Sequence, residues 1–132
     1  MNPAIAKLPD PSQANGHTPV INTFVNRLTH GLTGTQDTDA IVSQVMDDVM
    51  VRASEGQKKY GVFLAPHNGR NPLVDLYQEV LDANLYLEQY VAENAATMPQ
   101  AERADMSVLA TQLLTMTFVV RHYLNEQLKE VN

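Results

Sequence analysis

Asp75, Glu79 and Asp82 fall at spacings of four and three within PLVDLYQEVLDANLYLEQYVAE, residues 72–93. On an α-helix those spacings stack three carboxylates along one face, about a turn apart. Charged residues at helical spacing usually face water, where opposite charges at i,i+4 offset one another. No Lys or Arg stands between Pro72 and Glu102, so this face has no local counter-charge. Compensation must come from water, another helix or a cation. Mg²⁺ or Mn²⁺ is the cation such a site suits, because hard divalent ions take carboxylate oxygens, and Mg²⁺ keeps several waters and is commonly held together with a ligand's phosphates.

A second set carries both signs. Asp48, Arg52, Glu55 and Lys59 follow one another at spacings of four, three and four, and this edge could converge with the acidic face if their helices pack antiparallel. Beyond it lie Lys58, His67 and Arg70. Arg70 offers a planar fork of donors suited to a phosphate, and Gly61 and Gly69 permit close backbone approach to a ligand. The string HNGR, residues 67–70, reads as a tight turn around Asn68-Gly69. A turn and a phosphate contact through Asn68 and Arg70 are compatible readings.

Other chemistries lack their residues. The chain has no Cys, which removes thiolate metal sites, disulfides and a cysteine nucleophile. His17, His30, His67 and His122 show no i,i+4 spacing, so neighbouring helical positions offer no zinc site, and surface or loop positions are the expectation. No phosphate-binding Gly-rich loop, nucleophile elbow or dinucleotide fingerprint occurs. Tyr86 and Tyr90 read as partial core, and the methionines as packing.

Helices must position these groups. Val20, Ile21, Phe24, Val25 and Leu28 follow a helical period that HGLTGTQ ends with two glycines. Asp37 or Thr38 can cap a second helix with an apolar stripe of Ile41, Val42, Val45, Met46, Val49, Met50 and Ala53. Residues 60–72, broken by Gly61, Pro66, Gly69 and Pro72, form a loop with room for an extended piece at GVFL. Asn71 and Pro72 suit the cap and first turn of a third helix. Pro99 and Gln100 open a fourth, which is apolar on more than one side at LLTMTFVV. In a small domain that pattern calls for a central position or a partner chain, and a homo-oligomer is expected.

The fold expected is therefore all-α, a bundle of four main helices: residues 1–18 as a flexible N-terminal arm, then one helical domain over 19–132. The length of 132 residues fits a single core. The arm lacks the apolar stretch of a secretory signal, and no apolar run is long enough to span a membrane; a cytoplasmic location follows as the expectation. A net charge of -6 argues against binding a nucleic-acid backbone or an anionic membrane.

EVLDANLYL, residues 79–87, resembles the Glu-x-x-Asp motif and following apolar run of the all-α nucleotide pyrophosphohydrolases, the MazG-like and dimeric dUTPase-like group. The resemblance covers about residues 48–90. It implies a Mg²⁺ site, built from a Glu-x-x-Glu pair on the preceding helix and the Glu-x-x-Asp pair, that holds a nucleoside triphosphate for hydrolysis between its α and β phosphates. Glu79 and Asp82 match the second pair. Of the first, Glu55 matches the second position, while Arg52 stands where the first acid belongs. On this reading Glu55, Glu79 and Asp82 bind the metal, Asp75 is a further ligand or a base, and Lys59, Arg70, Arg52 and Asn68 contact the nucleotide. The string KYG, NGR, L, D and E..D...YL is also similar to small uncharacterised proteins of bacteriophages and prophages. The alternative is a non-catalytic nucleotide-binding or protein-interaction module on the same helices, such as a phage accessory protein.

Overall fold

The computed structural model describes residues 16–30 and 36–131. Four helices account for most of them: α1 (Val20–His30), α2 (Gln36–Tyr60), α3 (Pro72–Asn94) and α4 (Gln100–Val131). No strand occurs among the described residues, so the all-α expectation holds. The first fifteen residues of the expected arm, the glycines at 31 and 34, and the side chains of Asp37 and Thr38 lie outside the described part. α1 packs on α2 and α3 on α4, and the chain divides into two compact units between Arg70 and Asn71. No helix among the described residues is long and apolar enough to cross a membrane.

In the α3–α4 unit, the start of α3 is fixed by its sequence. The side-chain oxygen of Asn71 accepts the N–H groups of Leu73 (3.0 Å) and Val74 (3.3 Å), satisfying two of the donors that a first turn leaves unpaired. Pro72 follows, with its φ set for a helix and no N–H to lose. Val74, Val80 and Leu87 on α3 are buried together with Met98, Val120 and Leu124. The two helices run antiparallel, as three cross-links along their length show: Asn71 Nδ2 to Gln127 Oε1 at 3.1 Å, Asn84 Nδ2 to Thr117 Oγ1 at 2.8 Å, and the hydroxyl of Tyr90 to Glu102. In the connection, Arg103 donates to the backbone oxygen of Ala95, at the cap of α3, where helices leave carbonyls unpaired, and to that of Met98 (3.0 Å) in the turn beyond.

α4 carries two apolar seams. Met106, Ala110, Leu113, Thr117, Val120 and Leu124 recur at alternating spacings of four and three and are half-buried or buried. Leu109, Gln112, Met116, Val119 and Tyr123 recur at three and four along another side and are exposed. Such spacing presents knobs to a facing helix.

In the α1–α2 unit, Ile21, Val25 and Leu28 meet a strip of α2 made of Val42, Met46, Val49 and Ala53, all half-buried. α2 ends at Gly61, whose N–H bonds Gln57 O at 2.8 Å and whose φ of 79° lies in the left-handed region that glycine adopts at little cost. The loop that follows contains no strand, and GVFL is therefore not a paired extended piece. It does receive one backbone bond, from Val20 N–H to Leu64 O at 2.9 Å, which ties the start of α1 to the loop.

Candidate functional site

Successive helical residues turn by about 100°, which places Asp75, Glu79 and Asp82 on the side of α3 turned away from Val74, Val80 and Leu87. Glu79 and Asp82 are exposed and Asp75 is half-buried. Among the described residues, Glu79 and Asp82 make no side-chain hydrogen bond or ion pair. Asp75 donates its backbone N–H to Asn71 O at 3.2 Å. The expected acidic face is thus present on one helix, opposite the packed one. Within either unit, no three His, Asp or Glu side chains of the described residues stand close enough to share an ion, so on α3 itself the metal-binding donors would be the Glu79 and Asp82 pair with water.

On α2, Arg52 and Glu55 find each other. Arg52 Nη1 lies 3.3 Å from Glu55 Oε2, with the two side chains 82% and 58% exposed. At that exposure the pair contributes little to stability, but it puts a cation against the carboxylate that the resemblance assigns to metal. Asp48 is exposed. Lys59 is exposed too, its Nζ 5.1 Å from the centre of the Tyr60 ring, a weak cation–π contact.

The loop after α2 is tightly specified. Asn68 is its buried polar residue, and its Oδ1 accepts the backbone N–H of Arg70 at 3.1 Å, closing an Asx turn. Gly69 has φ 85° with open space around the position a Cβ would take, so conformation and not crowding asks for glycine. His67 has φ 58°, a value that few residues with a side chain adopt. Asn68 is therefore occupied in holding the loop, with Arg70, half-buried, one turn residue beyond it.

Two contacts escaped the sequence reading. His17 and His67 meet with ring centroids 5.0 Å apart and planes tilted by 49°, beside a cavity of about 350 Å³ lined by His17, Gln57, Val62 and Phe63. Fifty positions separate them, and spacing carries no signal at that distance. Tyr86 and Tyr90 correct the partial-core reading: both are exposed, and Tyr90 instead donates its hydroxyl to Glu102, which raises the phenol above its ordinary range through that hydrogen bond and the nearby negative charge. Concave surface is also found between α1 and α2, about 500 Å³ lined by Ile21, Val25, Met50 and Ala53 with Asn22 and Ser54.

Compared with family models, curated proteins and solved structures, the chain matches none.

Proposed function

We propose that this chain is a Mg²⁺-dependent nucleoside triphosphate pyrophosphohydrolase acting on ribo- or deoxyribonucleoside triphosphates. One observation carries the reading: Glu79 and Asp82, three residues apart on α3, are exposed and lack any basic partner among the described residues. Like charges kept adjacent without compensation fit a divalent cation, and oxygen donors with room for water fit Mg²⁺ or Mn²⁺. The similarity of residues 79–87 to the pyrophosphohydrolase motif supports the same assignment.

When bound, the metal neutralises phosphate charge and lowers the pKa of a bound water. The protein's part is to hold it through Glu79 and Asp82, with Glu55 as the further ligand that the resemblance implies. Asp75, half-buried one turn before Glu79, would take the proton of the water that attacks phosphorus as the bond between the α and β phosphates breaks. The resemblance gives Lys59 and Arg70 the phosphate contacts, and Asn68 sets the loop that carries Arg70. The cytoplasm is the compartment that fits a nucleoside triphosphate substrate. The outer apolar seam of α4 supports a homo-oligomer.

A second reading rests on Arg52. Its pairing with Glu55 favours a module that binds a nucleotide or a partner protein without hydrolysis, as a phage accessory protein would. The two are separated by one series of measurements. Mg²⁺ or Mn²⁺ should raise the melting temperature, since a ligand held only by the folded state stabilises it. Glu79→Gln should abolish that rise while leaving the helical signal intact. Release of pyrophosphate from a panel of nucleoside triphosphates with Mn²⁺, lost in Glu79→Gln, identifies the enzyme; nucleotide binding without release selects the second reading. A melting temperature indifferent to metals and nucleotides defeats both.

A further inference from the structure

We infer that His17 and His67 form a two-histidine site for a transition-metal ion, Zn²⁺ or Ni²⁺, which clips the segment before α1 to the loop after α2. Imidazole nitrogens suit these ions, whereas carboxylate and water suit Mg²⁺, so this site is chemically distinct from the acidic face of α3. The separation of the rings matches that of two imidazoles on a shared ion. With each metal–nitrogen bond about 2.0–2.1 Å and a near-tetrahedral angle at the metal, two ligating rings have centroids roughly 5 Å apart. The observed separation is 5.0 Å with the planes tilted by 49°, an arrangement that parallel stacking would not give.

The backbone holds both ends of the pair. Val20 N–H bonds Leu64 O at 2.9 Å, three residues from each histidine. His67 itself occupies the left-handed region at φ 58°, and the buried Asn68 beside it locks the turn through Arg70 N–H. Residues in such conformations persist where the surrounding structure over-determines them, and they concentrate at ligand clamps. Both histidines also engage in further interactions within the fold. Metal-bound imidazoles are normally oriented by a hydrogen bond from the nitrogen that does not ligate. Both side chains are exposed, leaving room for waters to complete the coordination.

Calorimetric titration of the full chain, stripped of metal, with ZnCl₂ and NiCl₂ tests this. One ion per chain is expected, with MgCl₂ at the same concentrations failing to compete. His17→Gln and His67→Asn should each weaken binding at least tenfold; Asn is the choice at position 67 because it tolerates positive φ. His122→Gln, on α4, should leave the affinity unchanged. Should either variant fail to fold, ring-proton NMR of the wild-type chain decides, since ZnCl₂ should shift the His17 and His67 signals together at one equivalent. Absence of binding, wild-type affinity in either variant, or Zn²⁺ shifts confined to His30 and His122 would each overturn the site, and the two rings would then be packing only. The Mg²⁺ melting experiment reads Glu79 and is independent of these outcomes.

Discussion

The hydroxyl of Tyr90 donates to the carboxylate of Glu102, joining the last turns of α3 to the first turn of α4. The bond exists only while the phenol keeps its proton, and the phenol's pKa is accordingly raised. A raised folded-state value favours the protonated form, so the contribution to stability is complete below the ordinary tyrosine range, near about pH 10, and is lost as pH climbs through the higher folded value. Thermal melts of the wild type and Tyr90→Phe should therefore differ at pH 8, the wild type melting higher, and converge at strongly alkaline pH. Glu126 has the opposite sign. Lys129, 2.9 Å away, lowers its carboxyl pKa, and its contribution fades as pH falls below the carboxylate range. At this scale the sequence was informative where chemistry follows helical period: the alignment of Asp75, Glu79 and Asp82 needed only their spacing. It was silent on His17 with His67, whose meeting depends on how the loop after α2 turns back toward the start of α1.

Asn71 is the residue on which the start of α3 turns. Two backbone N–H groups bond its side-chain oxygen, and its Nδ2 reaches Gln127 on α4. Asn71→Ala should cost about 1 kcal/mol of stability for the lost cap, measured as a lower midpoint in urea at unchanged slope, and Asn71→Asp should recover most of it. The starts of α3 and α4 were legible because an Asn-Pro pair and a Met-Pro pair leave the backbone few alternatives. The loop over 61–71 was legible as a break, and GVFL within it forms no strand. Strand propensity in Val62 and Phe63 yields no strand among the described residues, where the pairing seen is the bond from Val20 N–H to Leu64 O. The side of each tyrosine was likewise decided by packing: an aromatic at helical spacing reads as core until its neighbours are placed, and Tyr86 and Tyr90 face outward.

Across the whole molecule, the apolar surface of α4 carries the largest consequence. Leu109, Met116, Val119 and Tyr123 are exposed at seam spacing, and contiguous apolar surface of this kind marks interaction sites. Light scattering at micromolar concentration should give a multiple of the 14.6 kDa chain mass, and Val119→Lys should return the protein to one chain without loss of helical signal. A monomeric wild type would remove the oligomer from the proposal. The α3–α4 connection has a further consequence, one of time. Five residues, 95–99, separate the two helices, so the contacts nearest the turn, such as Tyr90 with Glu102, form between segments already close along the chain. Helical folds dominated by such local contacts close in microseconds to milliseconds. Glu79 and Asp82 ride on this hairpin, and the carboxylate pair should reach its final spacing as soon as α3 and α4 pair, ahead of any slower step elsewhere in the chain.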